Sequence, residues 1–591
     1  MRYLNRKFLL PLVLSLTLAT GACAAGQAAG TATTASSAAS AAATATVSVS
    51  DGTAGQSAAQ TLAENAAVEE VADTAGQAEQ TITLAGTTAS SSSDAVTVDG
   101  SVVTITEAGT YRVSGTLTDG RLVVDVAGDG VVTLILDGAD IATATGSPLV
   151  VTDAQAVVVE LADGSQNTLT DTGSSDSNTD TDEPNAALYS TADLTITGSG
   201  ALTVHGVEDG ITGKDGLVIE SGAITVDAGD DGIRGKDYLV VTGGTITVTA
   251  GGDGLTSDNA EDATMGYVAI EGGAIVVTAG GDGVDATTDV VVAGGSLQVQ
   301  AGGGSGTSPA EDPSTKGLKG DVSVVVGGGT VTVDASDDAL HSNGSVTVDG
   351  GVVTLSSGDD GVHADGDTVI NAGTVTITRS TEGLEGATVT INGGDVTVTS
   401  SDDGLNAADQ LTVGGGTVVV NADGDGLDSN GSATISGGTV VVNGPTENMN
   451  GALDSDGSFT VTGGVLLAVG SSGMAEAPDA TSTQGWLAAT LTSTQPAGTV
   501  VHVVAADGTV VASFTASKAF SSLVYSSSAI TGGSTYTIAA GGSTGGDSTG
   551  GLAASGSVDG ATTVGTVTAG QAPAGGMGMG PGGGTVQRPG G

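Results

Sequence analysis

A short acidic phrase followed by glycine and an aliphatic residue recurs at nearly constant spacing between residues 208 and 455. Gly210, Gly232 and Gly254 are 22 residues apart, and most later members of the series keep this interval. A fixed period of this length indicates a repeat architecture, in which each unit buries its apolar face against its neighbours. The chain is therefore constrained to an array that places equivalent residues of successive repeats side by side.

Alternating runs between the acidic phrases predict three short strands in each repeat. The pair Gly243-Gly244 recurs with the same period, with a run such as 239–241 before it and a run such as 245–249 after it. Period-two alternation is typical of half-buried strands. We therefore predict an all-β protein, a parallel β-helix of about 22 residues per coil, with aliphatic residues inside and Thr, Asp or Asn outside.

The composition limits the partners. The chain has 100 glycines and a formal net charge of -54 at pH 7. Such a chain repels polyanions and attracts multivalent cations, so nucleic acid is excluded as a partner. We expect a monomer that binds a polysaccharide.

The first 23 residues have the features of an export signal. Basic residues precede an apolar run, and small residues follow it up to Cys23, the only cysteine. The end of the segment, Thr20-Gly21-Ala22-Cys23, resembles a bacterial lipobox. We predict that Cys23 is lipidated, that this lipid is the only membrane attachment, and that the protein is an extracellular cell-surface lipoprotein. The alternative is an ordinary secretory peptide and a secreted protein.

The remaining boundaries follow changes in composition and periodicity. Residues 24–80 are rich in Ala, Thr, Ser and Gly, and predict a disordered linker. The other predicted regions are an N-terminal cap with the first coils (81–205), the regular coils (206–475), a small C-terminal all-β module (481–540) and a Gly-rich disordered tail (541–591).

Acidic residues repeated once per coil predict a metal site. In a β-helix they stack about 4.8 Å apart, and their repulsion of roughly 1 kcal/mol per pair in water must be offset. Ca²⁺ is the expected cofactor, because it takes six to eight oxygen ligands in flexible geometry. The alternative is that these residues serve only the turn. The candidate ligands are Asp209, Asp231, Asp253, Asp282, Asp338, Asp360, Asp403 and Asp425, with Asp258, Glu261 and Asp262 in an insertion.

Basic and aromatic residues gather on neighbouring repeats and predict a carbohydrate site. Tyr238 and Tyr267 occupy equivalent positions before an inward aliphatic residue, so we expect them to stack outward as a platform for sugar rings. The alternative is that they only cover a surface seam. The candidate carbohydrate-binding residues are Lys214, Arg234, Lys236, Tyr238, Tyr267, Lys316 and Lys319.

His341 and His363 are also one repeat apart, with Glu385 next in the same column. This spacing allows a metal site or an acid–base pair. The simpler interpretation is that the three residues are ordinary members of a variable outer column.

Several longer phrases carry a family resemblance. They are 108–115, 193–200, 231–237 and 281–286, with a further segment around 517–525 and Tyr536. The chain resembles, over roughly residues 80–540, the bacterial carbohydrate-binding β-helix family that binds cellulose and acidic sugars. The resemblance implies a right-handed parallel β-helix, bound calcium and an architecture related to that of pectate lyases, but it does not imply catalysis.

The leading hypothesis is therefore a surface-anchored, calcium-dependent binder of cellulose or of an acidic, uronic polysaccharide. The second is a pectate-type polysaccharide lyase, in which Lys236 or Arg234 removes the proton beside a calcium-bound carboxylate. Against it, these cations face many carboxylates, which favour their charged form. The third is a structural adhesin or an ice-binding face of outward threonines, such as Thr245, Thr247, Thr374 and Thr376.

Overall fold

The computed structural model describes residues 55–69, 71, 78–128, 130–173, 184–309 and 314–573. All of them lie in one compact unit, Val47–Gly591. The predicted export signal, the lipidation site Cys23, most of the 24–80 linker and residues 574–591 of the tail lie outside the described residues. No helix in the described ranges has the length and apolar character needed to cross a bilayer.

The N-terminal part contains a short helix and thirteen strands that precede the regular repeats. The elements are α1 (Ala58–Glu64), β1 (Gln80–Gly86), β2 (Ala89–Ser91), β3 (Val96–Asp99), β4 (Val102–Ile105), β5 (Gly109–Leu117), β6 (Arg121–Asp125), β7 (Val131–Thr143), β8 (Leu149–Asp153), β9 (Ala156–Leu161), β10 (Gln166–Asp171), β11 (Ala186–Ser190), β12 (Asp193–Gly198) and β13 (Ala201–Gly206).

The regular repeats follow, and we call strands β14 to β44 the parallel array. Its strands are β14 (Asp209–Gly213), β15 (Gly216–Ile219), β16 (Ala223–Ala228), β17 (Ile233–Gly235), β18 (Tyr238–Val241), β19 (Thr245–Ala250), β20 (Leu255–Ser257), β21 (Tyr267–Ile270), β22 (Ala274–Ala279), β23 (Val284–Ala286), β24 (Asp289–Val292), β25 (Ser296–Ala301), β26 (Leu318–Gly320), β27 (Ser323–Val326), β28 (Thr330–Ala335), β29 (Leu340–Ser342), β30 (Ser345–Val348), β31 (Val352–Ser357), β32 (Val362–Ala364), β33 (Asp367–Ile370), β34 (Thr374–Arg379), β35 (Leu384–Ile391), β36 (Asp395–Ser400), β37 (Leu405–Val413), β38 (Thr417–Ala422), β39 (Leu427–Ser429), β40 (Ser432–Ile435), β41 (Thr439–Asn443), β42 (Leu453–Ser455), β43 (Phe459–Val461) and β44 (Val465–Gly470).

The C-terminal module comprises eight strands. They are β45 (Trp486–Gln495), β46 (Val500–Ala505), β47 (Val510–Thr515), β48 (Phe520–Ser526), β49 (Thr535–Ala540), β50 (Ser543–Thr549), β51 (Leu552–Ser557) and β52 (Thr562–Thr568).

Each of the three strand types pairs in parallel with its equivalent in the next repeat. In the short strands, Ile211 pairs with Ile233, and Ile233 pairs with Leu255. The pairing continues from Leu255 to Val284 and from Val284 to Leu318, so both insertions leave the register intact. All five side chains are fully buried. The fold is therefore all-β, dominated by a large sheet of parallel strands whose core is built from stacked aliphatic columns.

The glycine of the acidic phrase is set by the side chain that faces it. A Cβ on Gly254 would overlap Cγ1 of Val277, and a Cβ on Gly232 would overlap Cγ1 of Val248. Both facing residues are β-branched, so a methyl group already occupies the space that an alanine would need.

Two repeats carry alanine in place of this glycine, and there the facing residue differs. Ala339 stands in a repeat whose column position is Leu355, which pairs with Val333. Ala452 stands in a repeat whose column position is Ala468, which pairs with Val442. Neither Leu nor Ala has a methyl branch at Cβ. Glycine with valine, or alanine with an unbranched residue, thus fills the same volume.

The C-terminal module continues the array and then forms a second sheet. β48 pairs antiparallel with both β44 and β45, through Leu467 with Tyr525 and Leu487 with Tyr525. The second sheet has the order β50-β51-β47-β46-β49-β52. Leu467, Leu487, Phe514 and Phe520 share one apolar cluster. This cluster joins the end of the array to the module.

The predicted disordered tail from residue 541 is wrong for its first part. Residues 543–568 form β50, β51 and β52, and they pair with the module through Phe514 with Leu552 and Thr537 with Thr566. These segments contain little apolar area of their own. They fold because the edges of β47 and β49 offer backbone partners.

The predicted disordered linker is also wrong for residues 55–69. Here α1 and the residues after it lie on the face formed by β18, β21, β24 and β27. Ala58 packs against Val291 and Val325, and Leu62 packs between this patch and that of Val240. The face can hold the segment because its outward side chains are aliphatic and not threonine. We call residues 55–69 the covering segment.

We predict that Gly254→Ala lowers the free energy of unfolding by roughly 1–3 kcal/mol, because it overpacks the core against Val277. The double variant Gly254→Ala with Val277→Leu should be more stable than the sum of the two single changes, because it reproduces the arrangement at Ala339. Urea denaturation of all four proteins measures the coupling free energy. Strict additivity would contradict the packing explanation.

Candidate functional site

The carboxylates predicted to stack do form a column along the array. It runs directly before the short strand of each repeat. We call it the acid ladder, and its members are Asp209, Asp231, Asp253, Asp282, Asp338, Asp360, Glu382, Asp403 and Asp425, with Lys316 between Asp282 and Asp338.

Each ladder carboxylate accepts a hydrogen bond from the backbone of the next repeat. The N–H of Asp253 donates to Asp231 Oδ1 at 2.9 Å, and the N–H of Asp282 donates to Asp253 Oδ1 at 2.7 Å. The N–H of Asp425 donates to Asp403 Oδ1 at 2.6 Å. The ladder therefore has a backbone role like the one that the sequence left open, but it joins two repeats instead of closing one turn.

The ladder holds its charges at a cost. Burial is the main cause that raises the pKa of Asp253 to about 7, with the neighbouring carboxylates of Asp282 and Asp231 next. Burial also raises the pKa of Asp231 to about 6 and that of Asp425 to about 6. One backbone hydrogen bond per carboxylate does not offset the loss of water. These groups favour either a proton or a cation.

Two lysines neutralise the middle of the ladder. Lys316 Nζ lies 2.6 Å from Asp337 and 3.1 Å from Asp338. Lys319 Nζ lies 2.8 Å from Asp285 and 3.6 Å from Asp282.

Asp338 shows the effect of these neighbours. Burial acts to raise its pKa, but the hydrogen bond from His341 and the charge of Lys316 outweigh burial and lower the pKa to about 2. The chain thus supplies its own cations where two ladder segments meet.

Three groups of side chains among the described residues bring ligand atoms within 4.8 Å of one another. They are Asp253, Asp282 and Asp285; Asp337, Asp338 and Asp359; and Asp360, His363 and Glu385. The first two offer only oxygen, the ligand type that Ca²⁺ prefers. The structure therefore brings together four of the predicted metal ligands, Asp253, Asp282, Asp338 and Asp360, in these groups, each with partners from its own or an adjacent repeat.

The acids of the first insertion are used differently. Asp258 forms an ion pair with Arg234. The backbone N–H groups of Glu261 and Asp262 donate to Asn259 Oδ1 at 2.8 and 3.1 Å. Asn259 thus fixes the loop, and none of its three acids belongs to the groups of ligand atoms found in the described ranges.

The predicted carbohydrate-binding cations divide into two sets. Arg234, Lys316 and Lys319 are held by aspartates of the array. Lys214 and Lys236 form no ion pair with any described residue. They follow Gly213 and Gly235, which pair in adjacent strands, and the N–H of Lys236 donates to Gly213 O at 2.9 Å. Two uncompensated ammonium groups therefore lie on neighbouring repeats.

The predicted tyrosine platform is stacked but not exposed. The rings of Tyr238 and Tyr267 lie 5.7 Å apart with an interplanar angle of 27°. They are only 4% and 3% exposed, so the expectation of an open platform is wrong. The N–H of Glu69 donates to Tyr238 Oη at 3.1 Å, and Tyr267 Oη donates to Ala66 O at 2.8 Å. The covering segment occupies the face that we assigned to sugar rings.

The histidine column is ordered by carboxylates. His341 and His363 stack with ring centroids 5.0 Å apart. Nδ1 of His363 lies 2.5 Å from Glu385 Oε2 and 3.3 Å from Asp360 Oδ2. The hydrogen bond to Asp360 and that to Glu385 raise the pKa of His363 to about 11. The imidazolium thus acts as a fixed cation at neutral pH.

Sequence reasoning missed a second column, three residues after the acid ladder. Its ionisable members include Asp285, Lys319, His341, His363, Glu385, Asp428 and Asp454. Burial, then the charges of Asp403 and Asp425, raise the pKa of Asp428 to about 7. The signal was present, because the fourth residue of the acidic phrase is often ionisable.

Comparisons with known proteins place the chain beside carbohydrate-binding proteins. A family profile described as "Carbohydrate-binding domain-containing protein" matches residues 99–361 and 385–572. A carbohydrate-binding domain-containing protein of Acetivibrio thermocellus is 40% identical over 113 residues, which are 19% of this chain and 40% of that protein. The chain thus spans about 40% of the length of the curated relative that it matches.

One similar solved structure is that of the polysaccharide lyase-like protein from C. thermocellum, in a gadolinium derivative. It is 35% identical in sequence, with a TM-score of 0.37, and the match covers 38% of this chain and 92% of that chain.

We predict that, in a metal chelator, the protein melts at a higher temperature at pH 5 than at pH 8. The pKa values of Asp231 and Asp253 in the folded state, about 6 and about 7, exceed the ordinary aspartate value. The folded state then binds more protons than the unfolded state between about pH 4 and pH 7, so stability falls as pH rises through this range. His363 acts in the same direction above about pH 6.5, since its pKa is raised to about 11.

Thermal unfolding at the two pH values measures this effect, and Asp253→Asn should reduce the difference between them. A higher melting temperature at pH 8 would contradict the electrostatic account of the ladder. Asp338, with a pKa lowered to about 2, is ionised throughout this range and does not oppose the effect.

Proposed function

The chain belongs to the family of carbohydrate-binding domain-containing proteins, whose profile covers most of it, and from this premise we propose that it is an exported, surface-anchored, calcium-dependent binder of cellulose or of an acidic, uronic polysaccharide. The family membership supports polysaccharide as the partner. The export-signal features and the lipobox-like end of residues 1–23 support export and anchoring through Cys23.

The observation that carries the acidic-polysaccharide proposal is the uncompensated pair of Lys214 and Lys236. The chain has a net charge of -54, and the ion pairs of the neighbouring Arg234 show how readily the array supplies a carboxylate. Two ammonium groups left without one on adjacent repeats fit the carboxylates and hydroxyls of a uronic chain. A charge-assisted hydrogen bond to each would hold successive polar groups of the ligand.

The fold proposed for this binder is a right-handed parallel β-helix. Three kinds of strand recur in order, and each pairs in parallel with its equivalent one repeat later. The side chains alternate between buried and exposed, as in β19 with the pattern eBeBeB, where B marks a buried residue. An array of this kind presents equivalent residues as straight columns, which suits a linear polymer.

The calcium site that we propose uses Asp253, Asp282 and Asp285. These carboxylates lie within reach of one ion and come from two adjacent repeats. Lys319 offsets part of their charge, but Asp253 has no cation partner among the described residues. When bound, Ca²⁺ would supply positive charge that offsets the ladder and accept further oxygen ligands from a uronate.

Binding is proposed here and not the lyase reaction, because one of the two candidate bases is engaged. The guanidinium of Arg234 is bound by Asp258, with Nε 3.1 Å from Oδ1. An arginine cannot give up its proton in a protein, and the ion pair removes it further from such a role. Arg234 thus holds the insertion loop against the array.

We predict that Ca²⁺ stabilises the protein, by about 2.7 kcal/mol at a hundredfold excess over its dissociation constant. Asp253→Asn should lose most of this gain. It should keep the fold in chelator, because the amide oxygen can still accept the N–H of Asp282. Thermal melting with chelator and with Ca²⁺ measures both effects, and the exposed Asp395→Asn is the matched control. An unchanged melting temperature of the wild-type protein on adding Ca²⁺ would contradict the proposed site.

We predict that Lys214→Ala with Lys236→Ala weakens binding to polygalacturonate about tenfold or more, since hydrogen bonds to charged groups contribute about 1.5–3 kcal/mol each. Retention on the immobilised polymer in Ca²⁺ measures the loss. The exposed Arg121→Ala tests the general effect of removing positive charge.

The same samples are read for the ultraviolet absorbance of unsaturated sugar ends, and we expect none. Steady production of such ends by the wild type, lost in Lys236→Ala, would replace the binder with a lyase. Wild-type retention of the double lysine variant would place the binding site elsewhere.

A further inference from the structure

A polar cavity of about 260 Å³ lies where β34 and β36 end, close to the C-terminal module. It is lined mainly by hydroxyl-bearing side chains, with one cation and one carboxylate. The residues that matter below are Thr378, Arg379, Thr381, Thr399, Ser401 and Asp423. The volume is slightly below the roughly 300–1,000 Å³ of sites for drug-sized ligands, so the cavity has room for about one sugar residue.

A β-bulge creates the cavity. β31 and β34 pair in regular register up to Leu355 and Ile377, but Ser356 then pairs with Arg379, so β34 carries one extra residue. Both Thr378 and Arg379 are exposed, whereas other strands of this type alternate to their end. A bulge re-aims the side chains beside it. Here it turns Arg379 toward the cavity.

The charge of Arg379 is not compensated by the protein. Its side chain makes no ion pair with any residue in the described ranges. The carboxylate of the lining, Asp423, is bound by Lys518 Nζ of the C-terminal module at 2.7 Å. The cavity therefore contains one neutralised acid and one free guanidinium, which matches a ligand with a single negative charge.

The hydroxyl groups of the lining are oriented as acceptors. Thr378 Oγ1 donates to Leu355 O at 3.0 Å, and Thr381 Oγ1 donates to Gly358 O at 3.2 Å. Ser401 Oγ donates to Ser380 O at 3.2 Å. Since each hydroxyl proton is directed to the backbone, the oxygen lone pairs remain for donors from a ligand. Sugar hydroxyl groups are such donors.

We propose that this cavity is a subsite for one acidic sugar residue of the polysaccharide, in which Arg379 binds the sugar carboxylate and the hydroxyl groups of the lining accept hydrogen bonds from the sugar. This inference rests on the proposed function and adds a site that is separate from the pair of Lys214 and Lys236. The planar guanidinium forms two parallel hydrogen bonds to a carboxylate, so the subsite selects uronic over neutral sugars.

The test compares the dissociation constants of trigalacturonate and cellotriose, measured by calorimetry with the full-length protein in Ca²⁺. Arg379→Ala is expected to weaken the binding of trigalacturonate at least tenfold. Thr399→Trp, which fills the cavity without changing the charge, should have a similar effect. Arg121→Ala, an exposed arginine in the N-terminal part, should bind as the wild type does.

The outcomes separate the two proposals. Wild-type affinity of both Arg379→Ala and Thr399→Trp would overturn the subsite and leave the proposed function standing. An equal loss in Arg121→Ala would also overturn it, because the effect would then be one of net charge. Equal wild-type affinity for cellotriose would overturn the selection of uronic sugars. If the wild type binds neither trigalacturonate nor polygalacturonate, both the subsite and the acidic-polysaccharide function are wrong.

Discussion

In-register parallel pairing between repeats is the constraint on which the other features of this protein depend. Equivalent residues stack about 4.8 Å apart, so a favourable side chain is repeated favourably and a charged one is placed beside its own kind. The acid ladder follows directly from this. Its repulsion is offset locally by the backbone N–H of the next repeat, by Lys316 and Lys319, and by the imidazolium of His363. The cation site that we propose is one more way to offset the same charge.

Packing inside the array obeys the same constraint. The glycine of the acidic phrase and the residue that faces it share one volume, and the chain exchanges them together. Ala339 appears only with Leu355, and Ala452 only with Ala468, where the facing residue has no branch at Cβ. The repeats are thus not freely interchangeable, because each carries one of two compatible combinations.

The sequence predicted the strands, the register and the acid ladder because a period transmits directly into columns. It did not predict the cover over Tyr238 and Tyr267, because contacts between segments more than 160 residues apart leave no periodic signal. A weaker sign was available. Runs such as 290–292 and 324–326 are apolar at every position, which is typical of strands buried on both faces. Residues 543–568 escaped prediction for a related reason, since their strands depend on the edges that they meet and not on their own composition.

The covering segment has a mechanical consequence. Its first described residue, Gly55, donates its N–H to Thr347 Oγ1 at 3.1 Å, and its far end reaches Tyr238, so the segment crosses the array from β30 to β18. Tension applied to the chain before residue 55 would enter the protein at the flank of β30, near the middle of the array, and not through its first strands. The Gly55–Thr347 bond would carry the load first, and the segment would then peel away one strand at a time until both tyrosine rings faced water. Stretching this end of the chain would thereby expose an aromatic surface that the resting protein keeps dry.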